Sequence, residues 1–124
     1  MAAVQQDGRE QAVHRHIAGV KQAEAFYRSP RWKRLRAAVL RRDGYLCQWS
    51  KRFGKRIEAD TVHHVFPRED FPEYEWAAWN LVALSGAVHD SMHVRGSREL
   101  TGTGKALMRI VARRAGVEVP EKYL

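Results

Sequence analysis

Two adjacent histidines set among β-branched residues, in the stretch TVHHVFP from Thr61 to Pro67, constrain this chain more than any other feature. Successive side chains of an extended strand point to opposite faces, so His63 and His64 cannot share one packing environment. Each ring therefore needs its own reason to be there. Both reasons are supplied if one ring binds a metal ion while the other acts on a water molecule beside it.

Downstream, HDSMH places His89 and His93 at i and i+4 in a stretch whose pattern predicts a helix from Gly86 to about Val94. On one helical face the Cβ atoms of such a pair stand about 6 Å apart, close enough for the rings to share an ion. A third ligand from a facing strand completes an open site, and His63 is the candidate. His64 then points elsewhere with its lone pair available to water, as a general base requires. Taken singly, each histidine reads as a satisfied core or surface residue. The HH dipeptide, Asn80 opening a short strand, and the HxxxH pair, in that order, argue against that reading for the set.

The surrounding pattern predicts an α+β fold. Ile57 to Phe66 is β-rich, Pro67 ends the strand, REDFPEYEW forms an acidic and aromatic loop, and NLVALS suits a second strand before the histidine helix. The order is strand, loop, strand, helix. Upstream, SPRWKRLRAAVLRRDG predicts a helix with Ser29 as cap, Pro30 at the first helical position, Gly44 closing the end, and Trp32, Leu35 and Val39 on one stripe. Tyr45 to Phe53 suits a knuckle or short hairpin, and KALMRIVARRAG predicts a last helix bearing Leu107, Ile110 and Val111. A chain of 124 residues with 44% apolar content fits one compact domain. The expected organisation is an N-terminal helical arm over 1–27 (its helix from Gln11 to Tyr27) and one domain over 28–124, with its core at about 57–95 and the C-terminal helix at about 104–115.

A formal charge of +8, from 22 Lys and Arg against 14 Asp and Glu, makes an anionic polymer the first partner to consider, with nucleic acid ahead of an anionic membrane surface. No apolar run approaches bilayer-spanning length and the start MAAVQQDGREQ lacks an apolar signal core, so a soluble intracellular chain is expected. A single cysteine, Cys47, cannot form an internal disulfide and is far short of a zinc site. The run Arg28–Arg42 holds seven Lys or Arg and no acid, and Lys33, Arg34 and Arg41 within it are candidate phosphate contacts. Arg95 and Arg98, directly after the ligand segment, are stronger candidates for gripping substrate. None of these contacts reads a base, so weak sequence preference is expected. Trp76 and Trp79 are expected to pack the core. Glu69, Asp70, Glu73 and Glu75 are expected to face away from a DNA site or to meet a partner protein.

These residues resemble a known family. FYRSPRWKRLRAAVLRRDGYLCQ, VHHVFP, NLVALS, HDSMH and LTGTGKALM are together similar to the HNH endonucleases, also called ββα-metal or His-Me finger nucleases, and especially to small phage-type members. The resemblance implies a ββα-metal core with flanking helices, His63 and His89 as metal ligands, His64 as general base, and Asn80 fixing the loop and the base. His93 corresponds to the extra ligand of three-histidine members similar to colicin DNases. The implied cofactor is one divalent ion, Mg²⁺, Mn²⁺, Ni²⁺ or Zn²⁺, and imidazole ligands lean away from Mg²⁺. The implied substrate is DNA, cut to 5′-phosphate and 3′-hydroxyl ends. Likeness to enzymes encoded near packaging genes implies DNA processing in the cytoplasm of a bacterium or phage-infected host, with terminase or other packaging proteins as partners. Many phage-type relatives carry two CxxC pairs that hold a structural zinc; here those positions read Cys47, Ser50, Ser85 and Val88. No structural zinc is expected, with Leu46, Trp49, Leu84 and Val88 filling the volume. Loss of the thiols keeps a rival reading open, a decayed member that binds DNA without cutting it. A weaker third is a regulator that needs His89 and His93 only to fold.

Overall fold

The computed structural model describes residues 21–124. Of the helix expected over 11–27, residues 21–28 are helical and the remainder lies outside the described residues. The chain clusters into two compact units, one through Arg34 and one from Leu35 onward. In the first, Ser29 Oγ donates to the Phe26 carbonyl at 2.7 Å and accepts the Trp32 N–H at 3.1 Å, which ends one helix and caps the next. Trp32 is buried there against the rings of Phe26 and Tyr27, at centroid distances of 5.4 and 5.3 Å.

Helix α1 spans Pro30–Arg42 and stops where Gly44 takes a φ of 65°, a left-handed turn that a glycine adopts without a Cβ clash. The expected knuckle is a lone bridge between Leu46 and Glu58 that closes around one helical turn, α2 (Gln48–Lys51). Strands β1 (Thr61–His64) and β2 (Leu81–Leu84) pair antiparallel, with His63 opposite Val82 and His64 opposite Leu81. The first strand is shorter than the β-rich stretch suggests, because the Phe66 backbone bonds to a side chain instead of to a strand.

A two-stranded sheet leaves edge groups open. Here the edge of β2 is closed from the end of α1: Arg42 Nη2 donates to the Leu81 carbonyl at 2.6 Å, and Asp43 Oδ2 accepts the Ala83 N–H at 2.9 Å. Arg36 likewise donates to the Asp60 carbonyl at 2.6 Å. Two cations of the basic run thus hold the fold together.

Helix α3 (Gly86–Ser91) begins at a Ser85 cap and ends earlier than expected. His93 is not on it. Thr101 takes the carbonyls that would continue the helix, its hydroxyl donating to Ser91 at 2.7 Å and its N–H to Met92 at 3.0 Å. His93 instead forms a bridge with Leu100 across a turn containing Gly96. Helix α4 (Gly102–Ala115) starts at the Thr101 cap and buries Leu107, Met108, Val111 and Ala112 against Val65, Phe66, Leu84 and Met92. The architecture is α+β: a two-stranded antiparallel sheet, a following helix, and flanking helices.

Gly104 fixes how closely α4 approaches the segment carrying His93, since a Cβ there would collide with the Met92 carbonyl. Gly104→Ala is expected to lower stability in urea denaturation by about 1–3 kcal/mol, the usual range for overpacking. Gly102→Ala, with nothing within 4 Å of the added carbon, is expected to leave the midpoint nearly unchanged.

Candidate active site

Three histidines reach one point from three pieces of backbone. His63 comes from β1, His89 from α3, and His93 from the bridge beyond it, and their ligand nitrogens lie within 4.8 Å of one another. The ring centroids are 5.3 to 5.6 Å apart. The side chains share the ion-sized space that the i, i+4 spacing suggests, although one helical face does not present them. His63 is 1% exposed, and its Nε2 is buried with no hydrogen-bond partner among the described residues. Leaving such an atom unsatisfied costs about 1–3 kcal/mol, which calls for a ligand at that nitrogen. His89 and His93 are only partly buried, so the cluster opens to solvent on their side.

Burial holds the His63 imidazole well below its ordinary pKa, and the neighbouring His89, His93 and His64 push the same way. Burial also lowers His93, with His89 adding to the effect and Glu69 opposing it. Neutral rings with available lone pairs are the state a metal requires.

His64, 7% exposed, stands 3.0 Å through Nε2 from the Glu75 carbonyl. A carbonyl only accepts, so Nε2 carries the proton and the lone pair resides on Nδ1. Burial lowers the His64 pKa, the Glu75 carbonyl opposes that, and the Arg68 charge lowers it further against Glu69 and Glu75. Asn80 is fully buried. Its Oδ1 accepts the Phe66 N–H at 2.7 Å, and its Nδ2 donates to the carbonyls of Phe66 at 3.1 Å and Tyr74 at 3.3 Å. One amide thereby joins the two ends of the loop between the strands and fixes the residue before Glu75.

The chain is similar to the HNH endonuclease of the deep-sea thermophilic bacteriophage GVE2, solved with a manganese ion, at 34% identity over 68% of this chain and 87% of that one, with a TM-score of 0.57. It belongs to the HNH endonuclease family. No protein-family model and no curated protein matches it.

In this HNH chain the loop after β1 carries residues that the spacing of histidines does not reveal. Arg68 Nε is 3.2 Å from Glu75 Oε2, and Arg68 Nη1 is 4.0 Å from Glu69 Oε1. The Glu69 charge opposes the lowering of both His64 and His93, and its carboxylate is 40% exposed beside Arg68. Glu75 meets Arg68. Asp70 accepts from the Tyr123 hydroxyl and lies 3.6 Å from Lys122 Nζ. Burial and that bond push the Tyr123 phenol up to about 12. The sequence signal for these residues is the Arg-Glu-Asp triplet directly after Pro67, which reads as a solvated loop until its partners are known.

Cys47, Ser50 and Ser85 form a small polar cluster in the HNH chain. Cys47 is fully buried and its sulfur lies 3.3 Å from Ser50 Oγ. Burial raises the thiol pKa, but hydrogen bonds with Ser50 and Ser85 outweigh it and bring it down. Cys47 and Leu84 belong to the main hydrophobic core, against which Trp49 and Val88 also pack. Among the cations marked for phosphate contact, Lys33 and Arg34 are exposed in the first unit, and Arg41, Arg95 and Arg98 in the second. Arg98 also lines a cleft of about 580 Å³ with Glu69, Lys105 and Lys122. Trp79 packs on Tyr74 and Phe66, at 4.8 and 5.8 Å.

The three lowered imidazoles bind protons more weakly in the folded protein than in the unfolded chain, whose histidines titrate near the ordinary value of about 6.5. The stability of the metal-free protein is therefore complete above that value and declines as the pH falls from about 6.5 toward the folded values. Thermal unfolding across a pH series is expected to show that decline, and His63→Asn to flatten it.

Proposed function

We propose that this protein is a metal-dependent endonuclease that hydrolyses phosphodiester bonds in DNA, with His64 as general base and His63, His89 and His93 as metal ligands. The observation that carries this is the unpaired, buried Nε2 of His63 facing two other imidazoles, next to a His64 ring whose tautomer a carbonyl sets. The residues fit a divalent ion. Three neutral nitrogen donors favour Mn²⁺, Ni²⁺ or Zn²⁺ over Mg²⁺, and the manganese of the GVE2 relative supports that choice.

A phosphodiester is already anionic, so an incoming hydroxide is repelled and charge accumulates on the phosphoryl and leaving oxygens. His63, His89 and His93 would hold a divalent ion, which would supply positive charge against the charge that builds on the phosphodiester. His64 Nδ1 takes the proton of the attacking water, while its Nε2–H remains on the Glu75 carbonyl. The imidazolium that forms is stabilised by that bond and by the charges of Glu69 and Glu75. Asn80 prevents the Glu75 carbonyl from drifting by holding Tyr74 beside it. The net charge of +8 and the exposed Lys33, Arg34, Arg41, Arg95 and Arg98 support DNA as substrate.

The likeness to a phage enzyme supports a role in phage DNA processing, with packaging proteins such as terminase as partners. A DNA substrate supports a location in the cytoplasm of a bacterium or phage-infected cell. The catalytic part is assigned to residues 28–124, with 1–27 as an appended arm.

Supercoiled plasmid incubated with the protein and each ion in turn tests the proposal. Metal-dependent nicking or linearisation is expected, and His64→Ala should slow it by about 10²–10⁴-fold while calorimetric metal affinity is retained. Plasmid that is bound but never cut, under every ion, would identify a nonenzymatic DNA-binding protein instead.

A further inference from the structure

Glu75 is engaged at both ends. Its main-chain carbonyl holds His64 Nε2 at 3.0 Å, and its carboxylate holds Arg68 Nε at 3.2 Å. One residue therefore sets both the imidazole and a guanidinium. We infer that Arg68 is a catalytic residue that binds a nonbridging oxygen of the scissile phosphate, and that Glu75 is the positioning residue that fixes its distance from the general base. The inference rests on the nuclease reading above.

Three observations carry it. First, the Arg68 side chain is 15% exposed, and a guanidinium so far withdrawn from water keeps its charge. Second, the loop is rigid where Arg68 emerges: Asn80 bonds both the N–H and the carbonyl of Phe66, a fully buried residue only two positions earlier. Third, Glu75 joins Arg68 to the general base through its own two ends, whereas Arg95 and Arg98 lie exposed on the turn past His93. Arg68 is the cation placed at the base.

The chemistry needs such a group. As His64 removes the proton from water, the new O–P bond forms, the P–O3′ bond breaks, and the leaving oxygen takes a proton from solvent. Negative charge grows on the nonbridging oxygens throughout, and Arg68 donates hydrogen bonds to it without giving up a proton. A guanidinium fork matches two phosphoryl oxygens in one plane. A lysine ammonium does not.

Plasmid cleavage by Arg68→Ala, Arg68→Lys, Glu75→Gln and the Arg68→Ala/Glu75→Gln double variant tests this, with metal affinity and thermal unfolding measured on each. Arg68→Ala is expected to lower kcat by about 10²-fold with KM and metal affinity nearly unchanged. Arg68→Lys should recover little of that loss, and millimolar guanidinium ion should restore part of it, while His64→Ala gains nothing from guanidinium. Glu75→Gln should cost less, and the double variant no more than Arg68→Ala alone, because the two residues act as one unit. A wild-type rate in Arg68→Ala, a loss that merely follows lost folding or lost metal affinity, or full activity in Arg68→Lys overturns the assignment. If the unmutated protein fails to cut plasmid with any of the ions, the nuclease reading fails by itself. Arg68 is then judged by duplex binding in the metal-loaded His64→Ala background. There the added Arg68→Ala must weaken affinity several-fold and reduce the salt slope by about one ion, and unchanged affinity sinks the phosphate contact.

Discussion

One buried side-chain amide holds the working parts of this protein in register. Asn80 uses its oxygen and its nitrogen on the loop that leaves β1, bonding Phe66 twice and Tyr74 once. Without it, the backbone groups of Phe66 would be buried and unpaired, since that residue lies beyond the strand ladder. The loop it closes carries Arg68 and Glu69 on one limb and Glu75 on the other. The orientation of His64 follows from that closure, because the carbonyl that fixes its tautomer belongs to the residue after Tyr74. A short sheet provides little rigidity of its own. The polar clamp provides it where the chemistry requires it.

Charge in this chain divides into two roles that composition cannot distinguish. Arg36, Arg42 and Asp43 are spent on carbonyls and an N–H at the sheet edge and the approach to it, which is where a two-stranded sheet is weakest. Lys33, Arg34, Arg41, Arg95 and Arg98 remain at the surface. Arg42 and Arg41 are neighbours in sequence, yet one closes a strand and the other faces solvent, because successive helical positions are rotated by about 100°. The count of cations in the run from Arg28 to Arg42 therefore overstates the track open to phosphates.

The segment around Cys47 is held by neutral contacts. The Cys47 sulfur is hydrogen bonded with two serines, and the residue is part of the main hydrophobic core. Two backbone hydrogen bonds flanking the Leu46–Glu58 bridge, Cys47 N–H to the Ile57 carbonyl and Ala59 N–H to the Tyr45 carbonyl, hold the adjoining segments together with the helix cap at Ser85. Such a cluster stabilises by packing and neutral hydrogen bonds, each worth about 1 kcal/mol.

Local chemistry determined a good part of this protein in advance. Ser29, Pro30 and Gly44 bound α1 as their capping preferences require, Leu81–Leu84 forms the second strand, and the alternation of side chains along an extended segment sends His63 and His64 to different surroundings. The gathering of His63, His89 and His93 was also legible, since histidines in that order have few other uses. Tertiary structure alone decided how His93 arrives, because Thr101 and Leu100, remote from the helical spacing, capture the backbone around it. It alone decided that Arg68 and His64 share Glu75. Caps and strand alternation depend on neighbours a few residues apart and are written in the sequence; pairing across a loop depends on where its two limbs are closed, and that closure is made by one amide in the buried interior.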